Sequence, residues 1–192
     1  MFRMKWPEAE IVGITLSSAE AQLAQSCMEE VHVADLEATD FAFLGQKQFD
    51  LMVFSHVLEH LRYPDSVLRT LSERIKCNGH ILIAAPNVLQ WRNRLRMIRG
   101  IFDYEDSGVM DRTHLRFFTW HTIDRFLLKN LMQYELITKH ADGAVPLWVF
   151  RRILPSKLVK SLDQYGSRAY PNLFGNQIIL LAQRRHSAQH TR

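Results

Sequence analysis

Short, nearly unbroken apolar runs alternate along this chain with segments of helical period, and that alternation limits the choice of fold more than any other feature. Residues 10–16 form one such run, and Ser17-Ser18-Ala19-Glu20 follows with the S-x-x-E spacing that starts a helix. Leu23, Ala24 and Met28 continue at helical spacing, and residues 31–35 read as a second strand ending on the carboxylate of Asp35. Strand, helix, strand implies a parallel pair joined by a crossover. Residues 49–54 then read as a strand buried on both faces. Pro64 suits the first position of the next helix. Val67, Leu68, Leu71 and Ile75 supply its apolar stripe, and Asn78-Gly79 a left-handed stop. Residues 80–85 read as a third buried strand, halted by Pro86-Asn87.

Beyond that strand, residues 88–100 have a helical pattern, with Trp91, Leu95 and Ile98 on one side and Arg92, Arg96 and Arg99 on another. Residues 101–118 show no sustained period and are expected to form a loop. Thr119 can cap a helix through Ile123, Phe126, Leu127 and Leu128. Strand-like segments recur at 134–138 and 177–182, and 147–162 reads as a helix interrupted at Pro155. The expectation is a three-layer α/β fold with a mainly parallel sheet, in a single domain over 1–192 that ends in a basic tail at about 184–192. Ligands of such sheets bind outside the carboxyl ends of the strands, which directs attention to residues 15–18, 35–37, 55–59 and 86–88.

With 47% hydrophobic and 23% charged residues, the chain is of ordinary globular composition and long enough to bury a core without staples. Cys27 and Cys77 could make at most one bridge and are read as reduced thiols of a cytoplasmic protein. Arg3, Lys5, Glu8 and Glu10 interrupt the first ten residues, so no export signal is expected there. No apolar run approaches the ~18 residues of a membrane-spanning helix. The net charge of +4 is uneven, because residues 151–192 hold eight Lys and Arg against Asp163 alone. That excess either draws an anionic partner or forms a solvated face and tail.

Three constellations could carry chemistry. His56-Val57-Leu58-Glu59-His60 matches H-x-x-E-H, a zinc-enzyme pattern, but that pattern needs a long helix and a third ligand, and here it leaves an apolar strand with Pro64 close behind. No metal is expected from it. In the other reading Val57, Leu58 and Leu61 pack while the histidines face a cleft or solvent. Asp35 and Leu36 offer a carboxylate beside an apolar side chain, suited to a polar heterocycle or to a turn cap. Residues 111–119 are dense in groups that act as acid, base or anion anchor. His114 could take a proton from a hydroxyl and Arg112 or Arg116 could hold an anion, or an Arg–Asp pair could pin the loop over the sheet with Phe117 and Phe118 in the core.

The runs at 12–17, 33–37, 49–61 and 79–87 resemble, in order and spacing, the class I S-adenosylmethionine-dependent methyltransferases. The later stretch 108–119 looks like a subgroup of bacterial methyltransferases associated with sugar or cell-surface polysaccharide metabolism. The resemblance implies a Rossmann-like methyltransferase fold and transfer of a methyl group from S-adenosylmethionine to a small-molecule or saccharide acceptor. Carried over by position, Thr15 and Leu16 would lie at the ribose and adenine, Asp35 and Leu36 at the adenine, and Ser55 and His56 beside the methionine part. His114, Asp111 and Arg112 would face the acceptor as the catalytic group.

One departure bears on the donor. The family's cofactor loop is glycine-rich, whereas the eight glycines here are never fewer than eight positions apart, so no G-x-G occurs. The segment resembling the second strand also begins near residue 10, leaving no room for the ~30 residues of a preceding βαβ element. The fold is therefore expected to be N-terminally incomplete, to lack the first strand and its loop, and to bind S-adenosylmethionine weakly or not at all. The rival reading is a non-catalytic, methyltransferase-like binding protein with a basic surface for an anionic partner. Nucleic acid is not the expected partner, since Arg92, Arg94, Arg96 and Arg99 accompany no recognition motif, and an oligomer remains compatible with the sequence.

Overall fold

The computed structural model describes residues 5–148 and 150–185; the basic tail expected at about 184–192 therefore lies outside the described residues beyond Arg185. Two compact units are distinguished, Met1–Lys47 and Gln48–Arg192.

In the first unit, β1 (Val12–Thr15) and β2 (Glu30–Val33) pair in parallel, joined through helix α1 (Ser18–Ala24). The expected capping residue does cap: Ser17 Oγ accepts the N–H of Glu20 at 3.3 Å. The reciprocal half of the box is altered, because the Glu20 carboxylate accepts from the Thr15 hydroxyl at 2.7 Å and that hydroxyl in turn accepts the Ser17 N–H at 3.1 Å. Lys47 closes the unit by pairing with both Glu10 and Glu30.

The second unit is built on a four-stranded sheet in the order β3 (Phe49–Ser55), β4 (Ile75–Pro86), β6 (Gly175–Arg184), β5 (Tyr134–Gly143). β3 runs parallel to β4, and β6 is antiparallel to both of its neighbours, so β3, β4 and β5 share one direction and β6 alone opposes it. The mainly parallel sheet is thus observed. Ile81, Ile83 and Ala85 of β4 and Ile178, Leu180 and Ala182 of β6 are its buried centre. Helix α2 (Pro64–Ser72) starts on its proline and buries Val67, Leu68 and Leu71. It ends earlier than the Asn78-Gly79 stop suggested. Ile75 already opens β4, and Asn78, at φ +63°, takes up a register shift against β3 inside the strand.

Two expectations of burial are corrected. β3 is not covered on both faces: Leu51 is 39% and Val53 42% exposed, two side chains on the same face of the strand. Helix α3 (Trp91–Ile98) turns Asn93 inward and leaves Leu95 and Ile98 outside, the latter 82% exposed. The cause is polar anchoring at its start. The Asn93 amide donates to Val88 O at 3.2 Å, Gln90 caps Arg92 N–H at 3.0 Å, and Arg94 reaches Leu89 O at 2.6 Å and Asn172 O at 3.2 Å.

Residues 101–118 are irregular as expected, and helix α4 (Ile123–Leu127) follows, with Thr122 rather than Thr119 in the N-cap position and no side-chain cap. The later helix does break at Pro155, into α5 (Phe150–Ile153) and α6 (Ser156–Ala169), with α7 (Pro171–Phe174) leading into β6. No helix among the described residues is long and apolar enough to cross a membrane.

Candidate functional site

The carboxyl ends of β3, β4 and β5 and the start of antiparallel β6 meet at one end of the second sheet, and a cavity of about 560 Å³ opens there. His56, Glu59 and His60 enter it from the turn after β3, Asp111 and His114 from the irregular segment, and Asp142 and Gln177 from the two late strands. Two devices hold the late strands close. Gly143 admits no side chain, since a Cβ would sit 2.0 Å from Phe174 O. The fully buried Asn87 amide donates to Gly175 O at 2.9 Å and Asn172 O at 3.2 Å, tying the end of β4 to the α7–β6 turn.

The turn after β3 is strained where it matters. His56 sits at φ +54°, a region that side chains other than glycine rarely adopt, with its N–H bonded to Ala84 O at 2.9 Å. That conformation aims both ring nitrogens at acceptors, Nδ1 at Glu59 Oε1 (3.2 Å) and Nε2 at Gln177 Oε1 (3.1 Å). Glu59 is 0% exposed, its backbone carbonyl accepts the N–H groups of Leu115 and Arg116, and its Oε2 is buried without a hydrogen-bond partner. H-x-x-E-H therefore lies on a turn and a short 3-10 segment (Leu58–His60), as the nearby proline implied, with Leu58 packed in the core and the two histidines exposed.

A second chain of contacts descends from the irregular segment. Thr113 donates its hydroxyl to Asp111 Oδ1 at 2.6 Å and its N–H to the same oxygen at 2.8 Å. These two bonds, helped by the nearby His114 and His60, hold the Asp111 carboxyl below the usual range. The Thr113 hydroxyl then accepts from His60 Nδ1 at 3.0 Å. His114 is buried, with Nδ1 set against Val109 O at 3.1 Å, and its ring meets that of His60 edge to face with centroids 4.8 Å apart. A neutral imidazole that donates from Nδ1 keeps its lone pair on Nε2.

Of the residues singled out in the sequence, the cavity gathers His56, Asp111 and His114. Ser55, the last residue of β3, is exposed just outside the lining. Arg112 does not line the cavity; its exposed side chain pairs with Asp106. In the first unit, Thr15 ends β1, Leu16 is exposed beyond it, and Asp35 and Leu36 follow the end of β2. Asp35 is exposed and accepts the Glu37 N–H at 2.9 Å. Glu59, His60, Asp142 and Gln177 were not chosen as site residues from sequence. The motif spacing pointed at Glu59 and His60, whereas nothing local marks Asp142 or Gln177.

A family model described as a methyltransferase domain matches residues 2–130. No curated protein matches the chain. Among solved structures, a SAM-dependent methyltransferase from Archaeoglobus fulgidus is similar with a TM-score of 0.57 at 16% identity, over 90% of this chain and 75% of that one. A plantazolicin methyltransferase solved in complex with SAH aligns with a TM-score of 0.58 at 14% identity, over 96% of this chain and 70% of its own. A SAM-dependent methyltransferase from Mesorhizobium loti gives 0.53 at 16% identity, over 91% and 80%. At these identities the structures establish the shared fold.

Proposed function

The chain belongs to the family of methyltransferase domains, and from that premise we propose that it takes part in S-adenosylmethionine-dependent methyl transfer to a hydroxyl of a small molecule or saccharide. The observation that carries this reading is the cavity at the carboxyl ends of β3, β4 and β5, where the buried His114 presents a ring nitrogen with its lone pair free.

The residues present fit the donor in part. Beyond β2, Asp35 is exposed with its second carboxylate oxygen without a partner among the described residues, and half-buried Leu36 stands next to it, a polar and apolar pair suited to an adenine. Beyond β3, Ser55 is exposed and suits the methionine part, whereas both ring nitrogens of the exposed His56 already face Glu59 and Gln177. Thr15 fits less well, because its hydroxyl already donates to Glu20 and accepts from Ser17. No G-x-G turn occurs in the sequence, so the described residues offer no glycine-rich turn through which backbone could closely approach a ligand. Each unit by itself is therefore expected to hold its part of the donor weakly.

When bound, the donor supplies a methyl group on a sulfonium, and the chain's own work is to position the acceptor and remove its proton. His114 Nε2 accepts that proton while Val109 O fixes the tautomer. Asp111 acts through Thr113, holding the His60 ring against His114. Calorimetry with S-adenosylhomocysteine is expected to show no saturation in the micromolar range. Transfer of labelled methyl to a panel of saccharides and small hydroxyl compounds is expected at high donor concentration, and His114→Ala is expected to lower it at least about 100-fold. Micromolar binding would refute the weak-donor reading. A donor-saturated chain that methylates no hydroxyl compound would refute the acceptor class and favour a non-catalytic binding role.

A further inference from the structure

Glu59, His60 and His114 each bring a ligating atom, one carboxylate oxygen and a ring nitrogen from each histidine, to within 4.8 Å of one another at the wall of the cavity. A metal with bonds of about 2.1 Å sets tetrahedral ligands roughly 3.4 Å apart, so closure around an ion requires these groups to draw together by about an ångström. Four observations prepare these groups for an ion. Glu59 Oε2 is fully buried and takes no hydrogen bond, a costly state for a carboxylate oxygen that an ion would relieve. Its other oxygen is held by His56, which fixes the carboxylate plane. His114 points Nδ1 at a backbone carbonyl, and His60 points Nδ1 at the Thr113 hydroxyl, itself anchored on Asp111. Both rings are thus fixed in the tautomer that leaves Nε2 for a metal, the outer-shell pattern of histidine ligands.

We propose that Glu59, His60 and His114 bind a divalent first-row transition-metal ion of the zinc type, with its open coordination positions facing the cavity. Of the two histidines in H-x-x-E-H only His60 takes part, together with Glu59, and the third ligand, His114, comes from the irregular segment. Two imidazoles and one carboxylate with a free position is the donor set of open zinc sites. The ion and the acceptor's proton compete for the His114 lone pair, so the base role of His114 belongs to the metal-free chain. The ion offers instead a site where a bound hydroxyl is acidified and loses its proton to water. That role rests on the methyl-transfer reading, whereas ion binding rests only on the cluster.

The test is a titration of the full chain with Co²⁺, whose ligand-field absorption reports coordination, followed by displacement with Zn²⁺. A single ion per chain is expected, with the largest paramagnetic shifts on the His60 and His114 ring signals. Glu59→Gln and His114→Ala should abolish the band in chains that keep the wild-type circular dichroism. Thr113→Val, an exposed and nearly isosteric change, should weaken binding about 10–100-fold by freeing the His60 ring. The double variant His186→Ala/His190→Ala removes the tail histidines and should bind as wild type. If Glu59→Gln fails to fold, Thr113→Val and the wild-type ring shifts decide. No band at millimolar Co²⁺, binding indifferent to Thr113→Val, or binding lost with the tail histidines overturns the proposal.

Discussion

Tyr134 shows what one polar atom contributes at the start of β5. Its ring is buried and its hydroxyl donates to Ser72 O at 2.7 Å, joining β5 to the end of α2. Burial pushes the phenol up to about 12, with the charge of Arg184 acting against it. A folded value above the unfolded one of about 10 means that stability is intact below pH 10 and is lost as the pH rises toward 12. Tyr134→Phe is therefore expected to cost about 0.5–1.5 kcal/mol at neutral pH and to remove this alkaline loss. Urea unfolding at neutral pH and near pH 11 checks both, and equal alkaline sensitivity in the two proteins would contradict the assignment. Asn87 is a residue whose role was half legible: Pro86-Asn87 marked the end of a strand, but the partners of its amide, at Asn172 and Gly175, are far along the chain.

At the scale of elements, local pattern located most strands and helices because each is set by neighbours a few residues apart. It failed where burial depends on distant chain. The apolar run of β3 reads as buried on both faces, yet Leu51 and Val53, on one face of the strand, are exposed. The stripe of α3 faces outward because a polar network fixes the helix by Asn93 and Arg94. Hydrogen exchange followed by NMR is expected to be slow throughout β4 and β6, which are paired on both sides, and fast at those β3 amides that point away from β4. Uniform protection along β3 would show that its free edge is covered in solution.

For the molecule as a whole, the apolar core is divided unequally. Ala21, Phe41 and Leu44 are the buried apolar side chains among the described residues of the first unit, and the remaining core belongs to the second. A two-stranded sheet with four residue pairs is marginal in water without more cover. Calorimetry is expected to show a broad or two-step transition in which Met1–Lys47 loses structure first, and one sharp transition whose calorimetric and van't Hoff enthalpies agree would exclude this. Part of the C-terminal basic excess is neutralised within the fold, where Arg151 pairs with Asp163 and Val145 O.

The sequence by itself determined the order of strands and helices, the shared direction of most strands, and the strand ends at which a site could form, because propensity, capping and period act over a few residues. It also marked Glu59, His60, Asp111 and His114 as chemically able. Only the tertiary structure decided that His114 meets His60, that Arg112 pairs with Asp106, and that Asp142 and Gln177 close the same cavity. Those meetings join positions far apart in the chain through an irregular segment and a reversed strand, and no local periodicity encodes a distance that only the packed sheet fixes.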